Sequence, residues 1–137
     1  MIESIIVCEH TTEDFKPINK KNIFFPNDFS VQILVKLSLI EKDSKIVFHW
    51  YINSEPDEPI SSYEIPLKAN SNTQRYAVGG LEIAHLLTQK EFNVFQKWFV
   101  LVEYQGIFHR VEFEIRPLNI GSDNKSYSPV SRYSWSV

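Results

Sequence analysis

His10, His49, His85 and His109, together with Cys8, are the side chains of this sequence best suited to metal binding or proton transfer. Their spacing argues against a metal. No His-Glu-x-x-His, Cys-x-x-Cys or His-x-His occurs, so no pair of ligands is presented together. His49 and His109 each fall in a segment of strand-like alternation. If those segments are neighbours, they offer a two-histidine site; otherwise each is a half-exposed, hydrogen-bonded strand residue. Cys8 and His10 have the types of a nucleophile and a base, but a catalytic thiol needs a positive neighbour or a helix start to lower its pKa. Glu9 works against that, and Cys8 is expected as a small buried apolar residue. Glu55, Asp57 and Glu58 carry oxygens suited to a hard cation. Only Glu55 and Asp57 alternate, no glycine follows, and Pro56 and Pro59 stiffen the run, so a solvated loop is expected. Gly79-Gly80 lacks the lysine and hydroxyl of a phosphate loop and reads as a turn. Ser61, Ser62 and the C-terminal serines lack the strained elbow of hydrolases. Asn124-Lys125-Ser126 has the form of a glycosylation acceptor, which matters only in a secreted chain. The expectation is no catalytic residue, no metal site and no cofactor.

Aromatic residues outside the alternating segments are the better candidates for function. Phe24, Phe25, Tyr63 and Tyr76 fall near loops or strand edges, and Tyr127, Tyr133 and Trp135 sit in an otherwise polar C-terminal stretch. Such rings anchor protein interfaces or stack on sugars. Their ordinary role would be to close the ends of the fold or to add a last strand. Tyr63, Tyr76, Tyr127, Tyr133 and Trp135 are taken as the candidate binding residues.

Composition narrows the partners. The chain of 137 residues carries 14 basic and 17 acidic side chains, a formal net charge of −3. A weakly acidic chain gains nothing from the counterion release that drives nucleic-acid binding, and Lys20-Lys21 is its longest basic run. Nucleic acid is not an expected partner. No apolar run reaches the roughly 20 residues of a membrane span, so a membrane is not expected either. One cysteine cannot form an internal disulfide, and the opening residues Met1 to Val7 lack the pattern of a secretory leader. Both point to a cytoplasmic protein. Aromatic residues make up 14% of the chain, a composition suited to the core of a β-sandwich and equally to a binding face.

The elements that must position these residues are read from the period of two. Val31, Ile33, Val35, Leu37 and Leu39 share one face of a half-buried strand. Glu41 to Ser44 forms the next turn, and Ile46, Phe48, Trp50 and Ile52 align on the following strand, paired as a hairpin or reached by a crossover between sheets. Pro66 makes Ser62 to Leu67 an edge strand, because proline cannot donate to a ladder. A strand over Thr73 to Val78 is closed by Gly79-Gly80, and Leu81 to Phe95 is a short helix or an irregular crossover. Trp98, Val100, Val102 and Tyr104 face one way, and a turn at Gln105-Gly106 leads into a return strand carrying His109, Val111, Phe113 and Ile115. Val31, Ile33, Val35, Leu37, Phe48, Trp50, Val100, Val102, Val111 and Phe113 are expected to share one core.

Six to eight short strands with polar breaks predict an all-β fold, an antiparallel two-sheet sandwich with at most one short helix. Residues 1–117 form the domain and 118–137 a polar, aromatic-containing tail. Pro17, Phe25 with Asp28, the His49-Trp50 strand, and Trp98 with Gly106 and Phe113 resemble uncharacterised families of bacterial immunoglobulin-like domains, of the fibronectin III kind. The resemblance covers about residues 17–116, lacks the antibody cysteine pair and implies a fold without an activity. The expected function is a non-enzymatic protein-binding or assembly module, acting through a sheet edge near Tyr63 to Leu67 or through the tail, with a protein partner or a second copy. Two alternatives stay open: a carbohydrate-binding sandwich using Tyr63, Tyr76 and Trp135, and a small hydrolase-like enzyme using His49 or His109 with nearby acids.

Overall fold

The alternation of Val31, Ile33, Val35 and Leu37 buries one side of a strand completely, and the rest of the architecture is built to cover that side. In the computed structural model, which describes residues 1–70 and 74–118, this is β4 (Ser30–Leu37). The strands before it are β1 (Ile2–Thr11), β2 (Pro17–Lys20) and β3 (Ile23–Phe24). After it come β5 (Ser44–Ile52), β6 (Ser61–Leu67), β7 (Arg75–Glu82), the single helical turn α1 (Ile83–Leu86), β8 (Lys97–Tyr104) and β9 (Ile107–Ile115).

Two sheets result, ordered β2-β1-β4-β7 and β3-β9-β8-β5-β6. All pairings are antiparallel except β3 with β9, which run parallel. The connection from β4 to β5 crosses between the sheets, pinned midway where Ile40 and Asn70 exchange backbone hydrogen bonds of 3.1 and 2.8 Å. With β1, β4 and β7 facing β9, β8 and β5, the chain is an immunoglobulin-like β-sandwich.

The predicted shared core is present. Val31, Ile33, Val35, Leu37, Phe48, Trp50, Val100, Val102 and Phe113 are all buried in one cluster, and Val111 packs against it. Phe113 is its aromatic hub, with ring centroids 6.0 Å from Trp50, 5.7 Å from Trp98 and 5.9 Å from Phe24. Trp98 keeps its indole N–H satisfied by donating to the Val94 carbonyl at 3.0 Å.

Two local expectations are corrected, and the short helix expected after them is present. Leu39 does not continue the buried face: β4 ends at Leu37, Leu39 is exposed, and Ile40 is buried in its place as the chain bends away. Gly79-Gly80 is not a turn. Both residues lie inside β7, paired with Ile33 and Gln32. A Cβ on Gly79 would lie 2.7 Å from the Phe48 ring, so glycine is required by close packing between the sheets rather than by a bend. The segment from Leu81 to Phe95 holds only the four-residue turn α1, whose buried Ile83 and Leu86 close one end of the core. The turn at Gln105-Gly106 is as expected, with φ of 52° and 77° at the two residues.

Glu9 ties the margin of the four-stranded sheet together. One carboxylate oxygen accepts from the Phe29 amide at 2.8 Å and the other from Asn19 at 2.9 Å. The Phe29 amide, then Asn19, hold this carboxyl below its ordinary value. Because its folded pKa lies below the unfolded one, its contribution is complete above the unfolded value and disappears as pH falls through the folded one. Glu9→Gln should therefore lose less stability than the natural chain in urea titrations as pH falls from the ordinary carboxylate range through the lowered folded value. Equal losses would show that the carboxylate is not part of the acid response. The Gly79 contact makes a second expectation. Gly79→Ala should destabilise by about 1–3 kcal/mol through overpacking, whereas Gly80→Ala should cost less, its added methyl meeting the flexible Gln32 side chain at 3.2 Å. Matching denaturation midpoints for the two variants would contradict this.

Candidate functional site

Strands β5 and β8 are interior to the five-stranded sheet, and they carry apolar residues on both sides, mixed outward with polar ones. Their inward residues fill the core. Their outward residues, with those of β9, make a continuous face: Val47, His49 and Tyr51, then Phe99, Leu101 and Glu103, then Phe108, Arg110 and Glu112. Pairing register brings Tyr51 opposite Phe99, and the two rings stack at 4.6 Å with 5° between their planes. The Arg110 guanidinium lies 3.8 Å from the Phe99 ring centroid, held by a 2.9 Å bond from its Nε to Glu112. This Tyr–Phe–Arg stack leaves Phe99 only 5% exposed although it points away from the core. At the margin, Ile107 and Phe108 are 60% and 54% exposed.

His49 lies in the same face, opposite Leu101 on one side and Ser62 on the other. Its Nε2 is 2.8 Å from Glu103 and its Nδ1 is 2.9 Å from the Ser62 hydroxyl. A carboxylate only accepts, so the neutral ring carries its proton on Nε2, and the Ser62 hydroxyl donates to Nδ1. Hydroxyl, imidazole and carboxylate are the types of a hydrolytic triad. Strand β5 by itself does not complete it. The amides of β5 are committed to ladders on both sides, so no pair of N–H groups from this strand converges on the Ser62 oxygen to hold an oxyanion. The arrangement anchors the imidazole in the face.

His109 points the other way. It stands beside Val102 on the inward side of the sheet, so it and His49 occupy opposite faces and the two-histidine site does not form. Cys8 is fully buried and its thiol donates to the His10 carbonyl at 3.3 Å. Glu55, Asp57 and Glu58 are exposed in their loop. Among the described residues, no group of three His, Cys, Asp or Glu side chains is gathered as metal ligands would be.

Of the candidate binding residues, Tyr63 joins the two sheets. Its ring packs on Phe48, with centroids 5.8 Å apart, and its hydroxyl accepts from the Gly80 amide at 2.6 Å. Burial raises the phenol above its usual pKa, with the Gly80 backbone and then the Trp50 indole opposing the rise. Tyr76 is on the other sheet, its ring stacked on Phe15 at 5.1 Å. Tyr63 and Tyr76 are not brought together. Tyr127, Tyr133 and Trp135 lie outside the described residues. Phe24, another of the rings near loops, is wholly inside the core. Sequence reasoning missed Tyr51, Phe99, Leu101 and Arg110. Their signal was present: the side of Lys97 to Tyr104 opposite Trp98 carries Phe99 and Leu101, where a solvated face would carry polar residues.

No family model matches the sequence, and no curated protein matches it. Among solved structures, the periplasmic chaperone SfaE is similar with a TM-score of 0.49 and 11% sequence identity, over 83% of this chain. The chain spans 58% of that protein's length. So distant a likeness does not bear on function.

The Tyr63 hydroxyl is the cross-sheet bond most simply removed. Tyr63→Phe should cost about 0.5–1.5 kcal/mol, the ordinary net worth of one hydrogen bond, in equilibrium urea unfolding. A variant as stable as the natural chain would mean that water replaces the hydroxyl at Gly80 without loss.

Proposed function

We propose that the chain is a non-enzymatic protein-binding or assembly module whose contact surface is the outer face of the five-stranded sheet. The observation that carries this reading is the Tyr51–Phe99–Arg110 stack with Leu101 and Phe108 beside it. The sheet has already buried its other side in the core, and an antiparallel sheet of that kind ordinarily turns polar residues to water. Aromatic residues and arginine are the types enriched where proteins meet. Within the immunoglobulin-like class, the pairing of β6 with β5 rather than β7 supports the fibronectin III arrangement, and a domain boundary near residue 117 is proposed with it. A cytoplasmic setting belongs to the same proposal.

Other routes have less support. Along the Tyr63 to Leu67 edge, Pro66 has no N–H to offer, and the Tyr63 hydroxyl occupies the neighbouring Gly80 amide. A sugar platform needs a free aromatic face, while Tyr63 is largely spent on Phe48 and Gly80, and Tyr76 on Phe15.

A photoreactive phenylalanine analogue tests the reading. Phe108 lies on the face and Phe29 lies off it, with nearly equal exposures of 54% and 56%. In cells expressing the full chain, irradiation should give protein adducts from position 108 well in excess of those from position 29. Equal yields, or none at position 108, would remove the face as the contact surface.

A further inference from the structure

We propose that the occupant of this face is a second copy of the chain, the two five-stranded sheets packing against each other about a two-fold axis. The inference rests on the reading of the face as a protein interface and adds the identity of the partner.

Charge is the first argument. The chain is formally −3 overall, yet the face is neutral. Lys45 pairs with Glu64 at 3.0 Å, Arg110 with Glu112 at 2.9 Å and Arg116 with Glu114 at 3.1 Å. The remaining pair of charges, Lys97 and Glu103, also cancels. A partner selected by charge would call for a face of one sign. A face of balanced, interspersed charges presents no net repulsion to its own copy, and each ion pair can exchange partners across the axis.

Shape is the second. The twist of a sheet is matched best by a sheet of the same twist, about 10 Å away and rotated by about 30°. A second copy supplies that twist by identity. In an isologous contact the residues nearest the axis meet themselves, and the centre of this face is occupied by Leu101, on the middle strand of five. Two half-buried leucines meeting there place apolar surface at the middle and charges at the rim, the usual anatomy of an interface.

Area sets the scale of the contact. Four long strands about 4.8 Å apart and about eight residues of about 3.3 Å each cover on the order of 500 Å². Two such faces bury on the order of 1,000 Å², at the lower end of specific interfaces. A contact of that size suits a reversible dimer whose population rises with concentration.

Sedimentation velocity on the full chain from about 1 µM to about 500 µM reads this directly, and a weight-average mass climbing toward twice the monomer is expected. Leu101→Lys, on the outside of the sheet, should stay monomeric over that range while melting near the natural temperature. Leu101→Cys should be joined to its copy by a short bismaleimide, whereas Ser4→Cys, on the exposed outer side of the four-stranded sheet, should not be. The natural Cys8 is wholly buried and does not compete. A natural chain that remains monomeric throughout, or a Leu101→Lys variant that associates as well as it does, overturns the second copy as occupant. The interface reading is judged separately, by the crosslinks from position 108. Adducts there heavier or lighter than a doubled chain would keep the face as an interface and reject the copy.

Discussion

The sandwich depends on how closely β7 can approach the opposite sheet, and two adjacent glycines set that distance. The Phe48 ring lies where a Cβ of Gly79 would stand, and one residue on, the Tyr63 hydroxyl reaches the Gly80 amide at 2.6 Å. Phe48 belongs to β5 and Tyr63 to β6, so both contacts join the edge of one sheet to the interior and edge of the other. A larger side chain at position 79 would push the sheets apart along this seam and loosen the aromatic packing around Phe113. The same contact protects an edge: a strand margin with its amide taken is a poorer template for another strand.

The candidate face follows from that closure. Once β5 and β8 have delivered Ile46, Phe48, Trp50, Trp98, Val100 and Val102 to the core, the period of two sends Val47, His49, Tyr51, Phe99 and Leu101 outward. Strand pairing then decides which of these touch. Tyr51 meets Phe99 because they are opposite in register, and Arg110 reaches the same ring from the neighbouring strand β9. Stacking covers much of the apolar surface while leaving Leu101 part-exposed and Phe108 exposed.

His49 illustrates the difference between the components of a catalytic site and the site itself. Hydroxyl, imidazole and carboxylate are in hydrogen-bond reach of one another. Hydrolysis also needs donors aimed at a developing oxyanion, and the amides of an interior strand are consumed by its ladders. The three side chains form a polar link across β6, β5 and β8 that holds the imidazole against the sheet.

Several features were determined by the sequence by itself. The alternation through Val31 to Leu37, Ile46 to Ile52 and Trp98 to Tyr104 specified strands and their core sides, because side-chain direction in a strand depends only on residue parity. Pro66 marked an edge and Gln105-Gly106 a turn for equally local reasons. Tertiary structure decided the rest. Gly79-Gly80 read as a turn, since nothing local distinguishes a glycine that bends a chain from one that admits a neighbouring ring. The bond between the Tyr63 hydroxyl and the Gly80 amide joins residues 17 apart in the chain, and no local pattern announces it. The outward face held its signal in the sequence as apolar residues on both sides of β8. Which of them would stack, and which imidazole would meet which carboxylate, depended on register between strands far apart in the chain: His49 and Glu103 are separated by 54 residues. Parity is a property of one strand, whereas a site is a property of the pairing between strands, and only the folded sandwich sets that pairing.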